Sequence, residues 1–289
     1  MDISSIRAFV SVADYASFSQ AAEQLKLTQP AVSKRIATLE HELAEKLFDR
    51  IGRKVILTEA GATILPKCRS ILEMVEDTQL SLSNLSGQVS GRLRLGTSHH
   101  IGLHHLPPVI SKFSEQYPEV DLDLHFMDSE KVCDKVTHGD LELGIVTLPI
   151  MPLEHIASKT LWTDTMSFVA GKQHKLADES DVTLHELVKY NAILPNKNTY
   201  TREIIEQAFS EKKLALKTSL STNYLETIKM MVTVGLGWSI LPDSMIDDDL
   251  KIIQIPGISL KRELGYVQHQ QRTLSNAAIA MMSVLTNSA

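Results

Sequence analysis

Apolar positions over residues 17–40 recur at helical spacing and predict two short helices joined by a sharp turn. Ser19 is predicted to cap the first helix, because its hydroxyl can accept a hydrogen bond from a free backbone N–H. The second helix is predicted to begin near Gln29, with Thr28 as its N-cap and Pro30 in its first turn. Its apolar positions follow i, i+4, i+7 spacing, and they are Val32, Ile36 and Leu39. Polar side chains are therefore expected on the exposed and flanking faces, namely Gln29, Ser33, Lys34 and Arg35.

Segments on either side of this helix pair complete a small N-terminal unit. Helical spacing over residues 3–12 predicts a scaffold helix whose apolar face covers the pair. Residues 39–47 are predicted to continue or restart the second helix. Residues 48–57 then form two short extended runs that turn at Gly52, which predicts a β-hairpin wing.

A long apolar stripe follows. Thr58 is predicted to cap one helix that runs to about Leu85, with a kink early on at Pro66. One small domain cannot bury a stripe of this length, so we expect the helix to pack against a partner helix in a two-fold dimer. Residues 86–91 have linker composition and place the predicted domain boundary there.

From Arg92 onward short apolar strands alternate with helices, which predicts an α/β domain with a largely parallel sheet. The predicted strands cover residues 93–96, 120–127, 141–147, 167–170, 238–241 and 264–269. The predicted helices cover residues 107–117, 129–138, 200–212, 224–234 and 274–285. The chain as a whole is therefore predicted to be an α+β multi-domain protein with an N-terminal winged helix-turn-helix, a long linker helix and a C-terminal α/β domain.

Charge is unevenly distributed along the 289 residues, whose net charge is −6. Residues 1–60 hold eight basic and eight acidic residues, so the whole acidic excess lies after them. Between Lys26 and Lys54, seven basic residues stand against four acidic ones. Such a local basic patch is sufficient for contact with DNA phosphates, even in an acidic protein.

Cysteine usage and hydropathy narrow the protein class further. Cys68 and Cys133 lie far apart in different predicted domains, which excludes a disulfide framework and a CxxC motif. No apolar run reaches the roughly 18 residues of a membrane helix, and the N-terminus lacks the features of a secretory signal. The sequence predicts a cytoplasmic protein with no membrane partner.

The N-terminal helix pair has the composition of a helix-turn-helix that binds double-stranded DNA. In that motif the amino end of the second helix enters the major groove, where amide and guanidinium groups pair with base edges and hydroxyl and ammonium groups hold phosphates. Arginines of a wing reach the backbone or the minor groove. The predicted DNA contacts are Ser19, Thr28, Gln29, Pro30, Ser33, Lys34, Arg35, Arg50, Arg53 and Lys54. An ordinary surface hairpin of helices, followed by a solvated charged turn, is the alternative.

Five motifs in the first sixty-five residues resemble the LysR-type transcriptional regulators in order and spacing. They are Ile6-Arg7-Ala8-Phe9-Val10, Ser17-Phe18-Ser19-Gln20-Ala21-Ala22, Thr28-Gln29-Pro30-Ala31-Val32-Ser33, Leu39-Glu40 with Leu47-Phe48-Asp49-Arg50, and Leu57-Thr58-Glu59-Ala60-Gly61. Ala16 and Ala44 depart from the pattern, because the family often has glycine at these turns. Alanine makes each turn at a local energetic cost.

The resemblance implies three functional parts and an oligomer. By that resemblance residues 1–58 form the DNA-binding domain, 59–91 the linker and dimerisation helix, and 92–289 an effector-binding domain similar to periplasmic binding proteins. In such a domain the chain crosses twice between two lobes, which places lobe one at about 92–162 and 267–289 and lobe two at 163–266. The linker helix is the dimer contact in the family, and the expected assembly is a homodimer or homotetramer on a pseudo-palindromic promoter site.

A small-molecule effector is expected in the cleft between the two lobes. Neutral hydroxyl and amide groups at strand ends and helix starts, with two histidines, are the residues able to line it. They are Thr97, Ser98, His99, His100, Ser129, Thr147, Asn196, Thr199, Thr222 and Asn223. Free N–H groups at helix N-termini favour a small anion such as a carboxylate or sulfur oxyanion without any buried arginine. Equally, each Ser, Thr or Asn could simply cap its own helix.

Other chemistry is weakly supported. Residues 99–105 contain four histidines, but Pro107 and Pro108 disfavour an unbroken helix through this run, and no Cys or paired carboxylate lies nearby. No metal ion is therefore predicted, and polar lining of the cleft is the preferred role. Nucleophile elbow, P-loop and dinucleotide motifs are lacking, so no cofactor and no catalytic residue is predicted. The favoured function is an effector-controlled transcriptional regulator; the alternative is a two-lobed α/β enzyme or binding protein without a DNA role.

Overall fold

The structure, a computed structural model, describes residues 1–51, 54–179 and 182–288, except for the side chains of residues 50, 51 and 54. The chain divides into two compact units, Met1–Ser86 and Gly87–Ala289. The first unit contains α1 (Ile3–Tyr15), α2 (Phe18–Gln24), α3 (Gln29–Leu43), β1 (Phe48–Ile51), β2 (Lys54–Leu57) and α4 (Glu59–Asn84). Strands β1 and β2 pair antiparallel, with Phe48 opposite Leu57. The predicted hairpin is therefore present, while its turn at Gly52 lies outside the described residues.

The core of the N-terminal unit forms between α1 and α3. Phe9 of α1 is fully buried, and its ring centroid lies 5.4 Å from that of Phe48. The predicted inward face of α3 is confirmed, because Val32, Ile36 and Leu39 are at most 3% exposed. This packing leaves the opposite face of α3 available to a partner.

Two local predictions in this unit are wrong. Ser17, and not Ser19, caps α2: its hydroxyl accepts a hydrogen bond from the backbone N–H of Gln20 at 3.3 Å. The helix begins at Phe18, whose buried ring has its centroid 5.9 Å from that of Phe48. Helix α3 does not continue to Leu47, since it ends at Leu43 with Ala44 in the left-handed conformation.

Helix α4 begins as predicted and ends at Asn84, close to the predicted end at about Leu85. The Thr58 hydroxyl accepts a hydrogen bond from the N–H of Gly61 at 3.0 Å. The helix is continuous through Pro66, so the proline does not divide it, and the predicted kink there stays a prediction. Beyond the part that packs on the core, Met74, Leu82 and Leu85 are between 66% and 82% exposed.

The second unit alternates strands and helices. In chain order it contains β3 (Gly91–Thr97), α5 (His99–His104), α6 (Leu106–Gln116), β4 (Val120–Phe126), α7 (Ser129–Thr137), β5 (Leu143–Thr147), β6 (Ile156–Gly171), α8 (Leu184–Leu187), β7 (Ala192–Leu194), α9 (Tyr200–Ser210), β8 (Thr218–Ser221), α10 (Leu225–Thr233), β9 (Trp238–Pro242), β10 (Leu250–Ile253), β11 (Leu260–His269) and α11 (Asn276–Ser288). The strand order is β4-β3-β5-β11-β6-β9-β7-β8, with β10 paired to β6.

This sheet is mixed, which corrects the expectation of a largely parallel one. Strands β3, β4 and β5 run parallel, as do β7, β8 and β9. Strands β6 and β11 pair antiparallel with each other along their whole overlap and also with their outer neighbours. Each parallel set therefore ends at the antiparallel pair, which joins the two halves.

Separate apolar cores lie on either side of this strand pair. One contains Leu95, Ile145 and Met281, together with Tyr266 of β11. The other contains Leu194, Phe209 and Trp238, together with Leu260, also of β11. Strand β11 thus contributes to both cores, and β6 runs beside it. This is the two-lobed architecture, and the lobe boundaries predicted at residues 162 and 266 fall inside β6 and β11.

Candidate DNA-binding surface and effector cleft

The helix pair α2–α3 presents its polar residues at the surface. Burial of Val32, Ile36 and Leu39 turns Gln29 and Lys34 outward, and both are exposed. The Gln29 amide donates a hydrogen bond to the Ser33 hydroxyl at 3.1 Å, one helical turn away. Thr28 is the N-cap of α3, but its hydroxyl makes no capping hydrogen bond to the helix. The amino end of α3 therefore presents amide, hydroxyl and ammonium groups together.

The structure places the remaining predicted DNA contacts as follows. Ser19 is exposed in the first turn of α2, Pro30 is exposed in the first turn of α3, and Arg35 is half-buried. Arg50 and Lys54 lie on the two strands of the hairpin, but their side chains are outside the described part, and Arg53 lies outside it altogether. The prediction for the three wing residues stays a prediction.

A cleft in the C-terminal unit brings together seven of the ten residues predicted to bind the effector. Counted to its open mouth, it holds about 480 Å³. The seven are Ser98, His99, His100, Ser129, Thr147, Thr199 and Asn223. They come from the starts of α5, α7 and α9, from the end of β5 and from the residues before α10. Both lobes therefore contribute to one cavity.

Three predicted residues have structural roles beside the cleft. Thr97 is fully buried, and its hydroxyl donates to the backbone oxygen of Ile145 at 2.9 Å. Asn196 uses its backbone N–H to donate to the Asn223 side chain at 2.9 Å. Thr222 accepts a hydrogen bond from the N–H of Tyr224, the residue before α10, at 3.4 Å. None of the three is among the residues that line the described cleft.

Some lining hydroxyls are already hydrogen-bonded within the protein. Ser129 accepts from the N–H of Thr147 at 3.0 Å, which ties α7 to the end of β5. Thr199 accepts from the N–H of Arg202 at 3.3 Å as the N-cap of α9. Ser98 is also an N-cap, but its hydroxyl makes no capping hydrogen bond to α5. The Ser98 hydroxyl is therefore available to bond a ligand.

The cleft also contains charged groups that sequence reasoning missed. Asp128 and Glu130 flank Ser129 at the start of α7, so the helix start itself could have indicated them. The Glu130 carboxylate accepts a hydrogen bond from the N–H of Tyr200 at 2.5 Å, which joins the starts of α7 and α9. Burial raises the pKa of Glu130 above its usual value.

A buried arginine lies in the cleft wall, which the sequence reasoning did not anticipate. Arg262 is 3% exposed, and its Nε and Nη2 donate to the same carboxylate oxygen of Asp164, at 2.9 and 2.6 Å. Burial alone would raise the pKa of Asp164, but the neighbouring His100 and Arg262 outweigh it and lower this pKa to about 2. The guanidinium charge is therefore balanced by an ionised carboxylate. Arg262 lies within a strand and carries no sequence signal for this role.

Residues 99–104 form helix α5, so His100 and His104 share one helix, but the helical run breaks at His105 and no unbroken helix runs through all four histidines. The helix ends at His104, and Pro107 and Pro108 stand in the first turn of the next helix, where proline is tolerated. The His99 ring lies 4.7 Å from the Tyr224 ring, and the His104 Nε2 lies 3.1 Å from the Glu226 carboxylate. Both contacts join α5 of lobe one to the beginning of α10 in lobe two.

Two family models match the chain. Residues 3–62 match the bacterial regulatory helix-turn-helix protein model of the lysR family, and residues 86–289 match the LysR substrate binding domain. The chain belongs to the LysR family. The resemblance seen in the motifs is thereby confirmed, together with the winged helix-turn-helix and effector-domain fold class. LysR-family models and relatives are transcriptional regulators, so the enzyme alternative is not supported.

Relatives and solved structures match the chain over different shares of its length. The transcriptional activator CmpR of Synechocystis is 28% identical over 96% of this chain and 92% of its own. An uncharacterised regulator of Azotobacter vinelandii is 62% identical, over 37% of this chain and 75% of its own. Full-length OxyR of Pseudomonas aeruginosa, a variant form, has a TM-score of 0.71 at 22% identity and covers 100% of this chain and 99% of its own. CbnR in complex with its target DNA has a TM-score of 0.64 at 17% identity, covering all of both chains.

This LysR-family chain is thus a DNA-binding transcriptional regulator with an effector-binding domain. Among the described residues, no helix is both long and apolar enough to cross a membrane.

Proposed function

We propose that this chain regulates promoters as a homodimer or homotetramer in the cytoplasm, and that a small molecule held in the C-terminal cleft controls how it sits on DNA. The observation that carries the effector site is the convergence of polar groups from both lobes on one cavity. Ser98 and Thr147 come from lobe one, and Thr199 and Asn223 come from lobe two. Topology alone brings helix starts to one crevice, but Ser98 makes no capping hydrogen bond to α5 and is therefore available to a ligand there.

The charges in the cleft refine the class of effector. Asp128 and Glu130 repel a simple anion at the starts of α7 and α9, whereas Ser98, Asn223 and the histidines offer donors at the starts of α5 and α10. We infer a small anion, such as a carboxylate, that also carries a hydroxyl or ammonium donor. The donor group would face the two carboxylates, and the anionic group would face Ser98 and Asn223.

On the DNA side, the proposal assigns base contacts to Gln29 and Ser33, and phosphate contacts to the neighbouring basic residues. The exposed amino end of α3 supports this assignment, because it presents these groups at the position from which a recognition helix reads the major groove. Ser19, Thr28 and Pro30 would lie against the DNA backbone beside it, as would Lys34, Arg35 and the wing residues Arg50, Arg53 and Lys54.

A ligand screen with matched variants tests the cleft. Small carboxylic, hydroxy and amino acids would be tested for raising the melting temperature of the full chain, and active compounds would be titrated into a promoter footprint. Ser98→Ala and Asn223→Ala should each weaken binding of the active compound by about tenfold, because each removes a hydrogen bond to a charged group. Both variants should still bind the promoter.

The matched control is Ser210→Ala, an exposed serine at the far end of α9. It should leave both the affinity and the footprint response unchanged. If a compound shifted the footprint equally in Ser98→Ala, Asn223→Ala and the unmodified chain, the effector would bind outside this cleft.

A further inference from the structure

Three side chains with metal-ligand atoms converge beside the effector cleft. His100 and His104 stand one turn apart on α5, and Glu226 lies in the first turn of α10. One ring nitrogen from each histidine and one carboxylate oxygen of Glu226 all lie within 4.8 Å of one another. Sequence spacing alone could not show this set, because 122 residues separate His104 from Glu226.

His100 supplies an independent sign that this set takes a ligand. Its side chain is only 5% exposed, and within the described part of the chain neither ring nitrogen has a hydrogen-bond partner. The nearest carboxylate oxygen, on Asp164, lies 3.6 Å away, beyond hydrogen-bond distance. Buried polar groups are nearly always paired, since an unpaired one loses its bonds to water without replacement. A metal ion bound to one ring nitrogen would satisfy that atom.

A second grouping shares His100 but is the poorer site. It consists of His100, His105 and Asp164. The Asp164 carboxylate already accepts two hydrogen bonds from the Arg262 guanidinium, so a cation there would compete with a buried positive charge. Glu226 instead contacts His104, and both side chains are about 40% exposed. They can therefore adjust to an ion without disturbing the core.

We propose that His100, His104 and Glu226 bind one divalent transition-metal ion of the zinc type, with water completing the coordination. Imidazole and carboxylate groups suit such ions, and two histidines one turn apart with a carboxylate from another helix form a set known for zinc. Tetrahedral ligand atoms stand about 3.4 Å apart, so the two exposed side chains need to move by only about an ångström. The ion would link α5 of lobe one to α10 of lobe two.

Metal binding by the full chain tests this site without reference to DNA or effector. Equilibrium dialysis against Zn²⁺ measures stoichiometry and affinity, and Co²⁺ absorption in the visible range reports the ligand geometry. His104→Gln and Glu226→Gln are the primary variants, because both residues are exposed and neither should impair folding. His155→Gln is the matched control, since His155 also stands beside a second histidine, His269, and the carboxylate of Glu154.

The expected result is one Zn²⁺ per chain, bound at least about tenfold more weakly by His104→Gln and by Glu226→Gln, and unchanged in His155→Gln. Zn²⁺ should raise the melting temperature of the unmodified chain and of the control, but not of the two primary variants. Mg²⁺ should have no such effect, since it prefers oxygen ligands. Equal Zn²⁺ binding by all four proteins, or a loss confined to the His155 control, would overturn the site. If His105→Gln lost Zn²⁺ binding while Glu226→Gln kept it, the ion would belong to the grouping of His100, His105 and Asp164. That result would also refute the proposed site.

Discussion

Two alanines end helices in a backbone conformation that favours glycine. Ala16 after α1 has φ 47° and Ala44 after α3 has φ 55°, both in the left-handed region. The sequence indicated a local cost at both turns because the family often has glycine there, and the backbone angles show where that cost arises. A Cβ atom in this conformation crowds the following carbonyl oxygen.

Ala16→Gly and Ala44→Gly should therefore each stabilise the N-terminal unit, by about 0.5–1 kcal/mol. Relief of the left-handed strain outweighs the extra flexibility that glycine gives the unfolded chain. Urea unfolding followed by circular dichroism measures the change. Ala62→Gly, at an exposed position inside α4, is the control and should cost about 1 kcal/mol. Destabilisation by all three substitutions alike would contradict the strain argument.

Glu130 gives a prediction about how the stability of the protein depends on pH. Its carboxyl pKa is raised above the usual 4.5, chiefly because burial disfavours the charged form. The folded protein therefore binds this proton more tightly than the unfolded chain, and stability is lost as the pH rises from about 4.5 through the folded-state pKa. Glu130→Gln keeps an acceptor for the N–H of Tyr200 and removes the buried charge.

Glu130→Gln should accordingly match the unmodified chain in melting temperature at pH 4.5 and exceed it at pH 7.5. The comparison needs Glu211→Gln, a substitution at an exposed residue, to show the effect of a lost surface charge alone. A difference that stays constant from pH 4.5 to 7.5 would mean that Glu130 acts through packing and not through its proton.

Elements with strong local signals were predicted closely, and those that depend on distant partners were not. Helix α4 and the inward face of α3 follow from capping and apolar spacing within the segment itself. Strand β6 was predicted only over residues 167–170, yet it runs from Ile156 to Gly171. Its first half is mostly exposed and lacks a continuous apolar run, so only pairing with β11 makes it a strand. Arg262 was missed for the same reason, because its partner Asp164 is 98 residues away.

For helix α3, the prediction concerns Gln29 at its amino end. Gln29→Ala should reduce discrimination between the promoter and unrelated DNA by about 1–3 kcal/mol, because an amide that pairs with a base edge is lost. Binding to unrelated DNA should change little, since phosphate contacts remain. Gel-shift titrations with both DNAs measure the ratio, and Gln79→Ala on the exposed surface of α4 is the control. An unchanged ratio in Gln29→Ala would place a different part of the unit in the groove.

For the whole molecule, the residues alone predicted the DNA-binding and α/β units, and only the family resemblance predicted the two lobes and the crossing near residues 162 and 266. The crossing lies in β6 and β11, whose register shifts between Leu264 and Gly265. At that point a side chain on Gly265 would meet the backbone oxygen of Lys159, so the strands approach closely only because the residue is glycine. Such a contact depends on two distant segments and has no signature in either one.

The assembly of the whole molecule can be tested by substitutions in α4. Met74 and Leu82 on this helix, and Leu85 directly after it, are exposed in the single chain, although apolar residues on a long helix favour burial against a partner. Leu72, by contrast, packs against the N-terminal core, so a charge there would also impair folding. Leu82→Glu should therefore convert the dimer to a monomer while the N-terminal unit stays folded.

Sedimentation velocity measures the mass of each variant, and gel shifts on a two-half-site promoter measure DNA binding. Gln79→Glu is the matched control, because it adds the same charge at an exposed polar position of α4 and should leave the dimer intact. The monomer should bind the full promoter far more weakly than the dimer, since one helix-turn-helix contacts only one half-site. If Leu82→Glu sedimented as an intact dimer with full promoter affinity, the chains would have to associate through a surface other than this part of α4.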